Sequence, residues 1–98
     1  MSFSEHAARD QRLVILQALE EDAGYSHNEH VLRSVLRAFG HAVSRDALRS
    51  QLAWLAEQGL IELEESSGVQ VASLTPRGED VATGAARVPG VARPRPGG

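Results

Sequence analysis

Between Val43 and Gly84 the chain carries start and stop signals in one unbroken run, and together they fix the order of its elements. Ser44 is a good N-cap, since a serine hydroxyl can satisfy one of the orphan amides of a first helical turn. Leu48, Leu52 and Leu55 then recur at helical spacing, which predicts a helix from about Arg45 to Gln58, closed by Gly59. Leu60-Ile61-Glu62-Leu63-Glu64 and Val69-Gln70-Val71-Ala72-Ser73-Leu74 read as strands joined at Glu65-Ser66-Ser67-Gly68. Thr75-Pro76 opens another helix, because proline at the first helical position follows a capping threonine. Glu79 and Asp80 suit its positive end, and Gly84 is its expected terminus.

Two more helices precede this run. Ser2 with Glu5 has capping-box spacing and predicts a first helix to about Glu21, with Gly24 in the left-handed conformation beyond its end. Leu13-Val14-Ile15-Leu16 with Ala18 and Leu19 make its middle apolar almost all round. Such a helix has something packed on more than one face. Two explanations stand side by side: a partner subunit meeting Val14, Ile15 and Ala18 in a homodimer, or a helix enclosed by its own chain. Ser26 and Glu29 repeat the capping-box spacing and open a second helix, whose stripe is Val31, Leu32, Val35, Leu36 and Phe39. Gly40 stops it, and only His41-Ala42-Val43 separate that glycine from Ser44. Val43 and Leu48 sit at the spacing of a hydrophobic staple, which would set the angle between the two helices.

Two helices joined by so short a turn make a helix-turn-helix. With the hairpin after it, the fold expected is mostly α with a small antiparallel β-hairpin (α+β), a winged helix-turn-helix over residues 1–84. Residues 85–98, punctuated by glycine and proline and ending Arg93-Pro94-Arg95-Pro96-Gly97-Gly98, read as a flexible tail.

At 98 residues the chain allows one small domain. It has no cysteine, which removes disulfides, thiolate nucleophiles and cysteine-ligated zinc, and fits a cytoplasmic setting. No apolar run nears the ~20 residues that span a bilayer, and Met1 to Asp10 lacks a signal-peptide core. The net charge of −3 does not favour a polyanion, but its distribution does locally. Residues 30–56 carry Arg33, Arg37, Arg45 and Arg49 against Asp46 alone, flanked by acidic stretches over 1–29 and 57–65. The third helix's polar arc holds Asp46, Arg49, Ser50, Ala53 and Glu57, with Arg45 at its edge. Small side chains and arginine are what a helix in a major groove needs.

From Ser44 through Gly84 the chain resembles winged helix-turn-helix regulators, through its leucine-rich third helix, Gly59-Leu60-Ile61 and Leu74-Thr75-Pro76-Arg77-Gly78. Over nearly its full length it resembles a small family of Mu-like phages and prophages labelled ArsR-like or MarR-like regulators. Asp10-Gln11-Arg12-Leu13-Val14-Ile15-Leu16, Gly40-His41-Ala42-Val43-Ser44-Arg45-Asp46 and Leu74-Thr75-Pro76-Arg77-Gly78 carry that likeness, and Val88-Pro89-Gly90-Val91 with Arg93-Pro94 is also similar. The resemblance implies a phage-encoded winged-helix protein. The metal-sensing cysteines of ArsR-type sensors are missing, so metal response is not implied.

These readings assign duplex DNA as partner, with Arg45, Arg49 and Ser50 toward the bases, Asp46 on the same DNA-binding arc, and Arg33, Arg37 and Arg77 toward phosphates. Glu62, Glu64 and Glu65 on the wing oppose that assignment, and they support the alternative of a protein-interaction module in phage assembly or packaging. The arginine-proline tail suits a minor-groove arm, an extended segment docked on a protein, or a solubilising tail. His27 and His30 at i, i+3 lack a placed third ligand, so no metal is expected. Trp54 is expected to anchor the wing against the third helix. No nucleophile-and-acid spacing or phosphate loop appears, so neither an enzyme nor a cofactor is expected.

Overall fold

The computed structural model describes residues 2–95, so the last tail residues, 96–98, lie outside the described part. The order is α1 (Phe3–Glu21), β1 (Ser26–Asn28), α2 (Glu29–Ala38), α3 (Arg45–Glu57), β2 (Ile61–Ser66), β3 (Val69–Leu74) and α4 (Pro76–Thr83). This is an α+β domain with four helices and a three-stranded antiparallel sheet, of winged-helix form.

Each helix starts on a side-chain cap. Ser2, Asn28, Ser44 and Thr75 accept from the amides of Glu5, Val31, Ala47 and Gly78. Caps of this kind are worth about 1 kcal/mol each. Three of them fall where the sequence places them. The α2 cap does not: Asn28, not Ser26, receives the amide, and Ser26–Asn28 form a strand. That strand pairs antiparallel with β3, matching Ser26 to Ser73 and Asn28 to Val71, so the sheet order is β1-β3-β2. It is reached through Tyr25, which takes the left-handed conformation (φ 54) in place of Gly24 and accepts the Leu74 amide at 2.8 Å.

The hairpin is tighter than expected. β2 runs on to Ser66 and turns at Ser67-Gly68, with φ of 50 and 78. Positive φ at both central residues matches the turn twist that right-handed strands favour. In the register, Ile61 and Leu63 share the core face with Ala72 and Leu74, while Glu62 and Glu64 lie opposite Ser73 and Val71 on the outer face.

Leu16, Leu19, Leu32, Leu48, Leu52 and Leu55 form the centre of the core at 0% exposure. The apolar belt of α1 is explained inside the chain, because α2, α3, α4 and β3 all pack on it. Ile15 is 0% exposed and Val14 6%, so the expected dimer contact through these two is corrected: their surface is already spent on the chain's own core. Only Ala18 of that set stays partly exposed.

The flexible-tail expectation is also corrected over residues 85–95. Val88 and Val91 are 6% and 4% exposed within the core. The Ala92 amide donates to Arg9 O (3.1 Å), and Arg12 Nη1 donates to Gly90 O (2.9 Å). Gly90 lies against Trp54 with φ 100, where an added Cβ would come within 2.7 Å of the indole. Arg12 covers that ring, its guanidinium 4.0 Å from the centroid. Trp54 therefore packs against α1 and this strap, a role the expectation of a wing anchor did not include. Burying two valines contributes about 1.5–3 kcal/mol each, and a composition dominated by Gly, Pro and Arg hides them.

Candidate nucleic-acid interface

The α3 arc expected to meet DNA is built around a residue that sequence reasoning assigned elsewhere. Glu29, at the start of α2, is 1% exposed and is the one buried charged side chain among the described residues. Placing Asn28 at the cap leaves Glu29 free to turn inward between α3 and the hairpin. Arg49 binds it through two nitrogens, Nε to Oε1 at 2.9 Å and Nη2 to Oε2 at 2.8 Å. Arg45 Nε donates to Oε1 at 3.2 Å, and the Gln70 amide donates to Oε2 at 2.6 Å. Both arginines also donate through Nη2 to the Gly68 carbonyl at the hairpin tip, at 2.7 Å from Arg45 and 2.8 Å from Arg49. Helix and wing are thereby locked into one surface.

The electrostatics follow from this geometry. The hydrogen bonds from Arg49 hold the Glu29 carboxyl well below the usual carboxylate range; burial opposes them, and Gln70 and Arg45 assist. The Arg49 guanidinium is raised in turn, chiefly by its bonds to Glu29. Two guanidiniums on one buried carboxylate leave the trio at +1. Glu65 Oε1 lies 3.9 Å from Arg49 Nη1 and screens that side, whereas Arg45 remains 49% exposed. Glu62 and Glu64 lie on the sheet's other face, so two of the three wing carboxylates do not confront α3.

The remaining candidates divide. Arg33 Nε donates to Val43 O (2.8 Å) and stiffens the turn between α2 and α3; Arg77 Nη1 donates to Gln58 O (2.8 Å) at the end of α3. Asp46, Ser50 and Arg37 are exposed, and their side chains make no hydrogen bond or ion pair among the described residues. The structure thus joins Arg45, Arg49, Asp46 and Ser50 on one face and spends Arg33 and Arg77 largely on internal bonds. His27 lies on β1, 3.7 Å from Asp22, so it shares no helical face with His30. No group of three potential metal ligands forms among the described residues.

The members that the sequence did not flag are Glu29 and Gln70. The only available hint was Arg45 and Arg49 at i, i+4, a spacing at which one carboxylate can bridge both.

Over 87 residues, 89% of this chain and 90% of the other, the sequence is 54% identical to the uncharacterized protein gp26 of Escherichia phage Mu. The chain belongs to the gp26 family. A second relative, from Haemophilus influenzae, is 49% identical over 78 residues, covering 79% of this chain and 76% of that protein. No family model matches the chain. Neither relative's name states an activity, so the gp26 family marks the chain as a Mu-like phage protein. Among the described residues, no helix is long and apolar enough to cross a membrane.

Proposed function

We propose that this gp26-family protein binds duplex DNA through its winged helix, as a small phage transcriptional regulator acting in the cytoplasm. The observation that supports it best is the Glu29–Arg45–Arg49 trio. A buried carboxylate fixes two guanidiniums at the junction of α3 and the wing, and Arg45 is left half exposed on the helix that also exposes Ser50 and Asp46. Preset arginine geometry suits the paired acceptors on a guanine edge, and it lowers the ordering cost of binding. Arg49 acts as a support for Arg45 in this reading, and Arg37 as a phosphate contact. A homodimer would form over the patch of Ala18 and Phe39, the latter 65% exposed, in place of Val14 and Ile15.

The test begins by selecting sites from random duplexes with the intact protein. Arg45→Ala should weaken the selected site by about 1–3 kcal/mol, read by fluorescence anisotropy. Equal loss on unrelated DNA would turn Arg45 into a phosphate contact. Absence of salt-sensitive binding by the parent protein would end the DNA reading.

The second reading is an adaptor that docks a phage assembly or packaging protein. It is favoured by one observation: Glu62 and Glu64 stand exposed on the outer sheet face, away from every arginine of α3. Pull-down of a virion or packaging protein, lost on Glu62→Lys/Glu64→Lys, would support it.

A further inference from the structure

Besides Arg37 on α2, three arginines that the fold leaves uncommitted lie on the segment after α4. Residues 85–95 carry Arg87, Arg93 and Arg95 and no acidic residue. All three are exposed, and none makes a hydrogen bond or ion pair among the described residues. They line one cleft of about 1090 Å³ together with the end of α1 and the last turn of α4. Arg9 lines the same cleft, and Glu20 and Glu21 are its acidic members, so cations outnumber anions there.

This rim is held in place. Val88 and Val91 are buried on either side of Gly90, whose carbonyl takes Arg12 Nη1, and Ala92 is bonded to Arg9 O. Arg87 therefore leaves the strap one residue before its first anchor, and Arg93 two residues after the second. Pro94 presets its own φ and biases Arg93 toward extended backbone, which keeps Arg93-Pro94-Arg95 drawn out rather than coiled. Guanidiniums that serve no fold contact, mounted on a segment whose ordering cost the core has already met, are fit to bind an external polyanion. The contrast with α3 is direct: there, Glu29 and Glu65 offset Arg45 and Arg49.

We infer that the strap arginines Arg87, Arg93 and Arg95 form a second contact surface for the sugar-phosphate backbone of duplex DNA. This rests on the DNA-binding reading above and adds the surface that supplies sequence-independent affinity. Phosphate contacts of this type release condensed counterions, so each leaves a mark on salt dependence.

The test uses the full chain carrying Arg87→Ala, Arg93→Ala and Arg95→Ala together, checked for parental Tm, with labelled duplex titrated by anisotropy across a salt series. Affinity should fall to a similar extent on every duplex sequence, and the slope of log K against log salt should shrink by about 1 per arginine. An Arg→Lys triple variant should retain most of the slope. If the parent binds DNA and the alanine variant keeps its affinity and slope, the strap inference is overturned while the DNA reading stands. Lost affinity with an unchanged slope overturns it too, because the arginines would then not be on phosphates. A parent that binds no duplex at low salt overturns both.

Discussion

Replacing Glu29 with alanine should cost about 3 kcal/mol of folding stability, the lower end of what breaking a buried ion pair costs. The lower end applies because Arg45 and Arg49 are 49% and 30% exposed and can recover water once their partner is gone. The Gln70 backbone amide is less easily rescued, since it is partly buried at the hairpin end that Glu29 ties to α3. Against a total stability of ~5–15 kcal/mol for such a domain, the loss is large. It corresponds to a fall in Tm of about 12–24 °C for a chain of this size. Thermal unfolding followed by circular dichroism measures it. A variant within about 1 kcal/mol of the parent would show that the trio orients α3 and the wing without stabilising them.

The same residue sets an acid limb. The pKa of Glu29 is depressed in the folded state, chiefly by Arg49. Its contribution is therefore fully present above the unfolded carboxylate value of about 4.3 and is lost as pH falls below it toward the folded value. Stability of the parent should decline steadily on acidification below about pH 4.5. Glu29→Gln, which cannot titrate, should start lower and decline less over the same range. Parallel acid limbs would remove Glu29 from the explanation.

Gly78→Ala should destabilise the protein by about 1–3 kcal/mol, toward the upper end. An added Cβ would lie 2.0 Å from Leu60 O and 2.7 Å from Leu74 Cδ1, and the first of these is backbone that cannot swing aside. Leu60 O already accepts the Thr75 amide, and Thr75 Oγ1 caps the Gly78 amide, so the start of α4 and the end of α3's loop share this contact. Alanine's better helix propensity returns only ~1 kcal/mol, less than the collision costs. Gly40→Ala is the informative comparison. Nothing lies within 4 Å of its Cβ, so its penalty comes from φ 88 alone, of order 1 kcal/mol. If the two variants unfold at the same temperature, close packing at Gly78 is not what constrains that position.

α1, α3, the hairpin and α4 were legible in the sequence because their boundaries rest on contacts between residues a few positions apart. Ser2 to Glu5, Ser44 to Ala47 and Thr75 to Gly78 are all i to i+3 bonds, and the hairpin's turn lies within the expected Glu65-Ser66-Ser67-Gly68 connection, although it closes on Ser67-Gly68 alone. Leu48, Leu52 and Leu55 read as core for the same reason, a period fixed by helix geometry. The arginines on α3 were legible as residues on one arc.

What they touch was not. Glu29 sits 16 and 20 positions from Arg45 and Arg49, and 41 from the Gln70 amide, and no local pattern announces a pairing at that range. β1 has three polar residues and exists because the β3 edge is there to pair with it. Residues 85–95 are held by Arg9, Arg12 and Trp54, all distant in sequence. The apolar belt of α1 announced burial without saying by what. Short-range hydrogen bonds and helical period depend only on neighbouring residues, so the chain by itself determined its elements and their order. Which charges are neutralised, which face α1 buries and where the strap lies depend on surfaces that meet only after collapse, and the tertiary structure alone decided them.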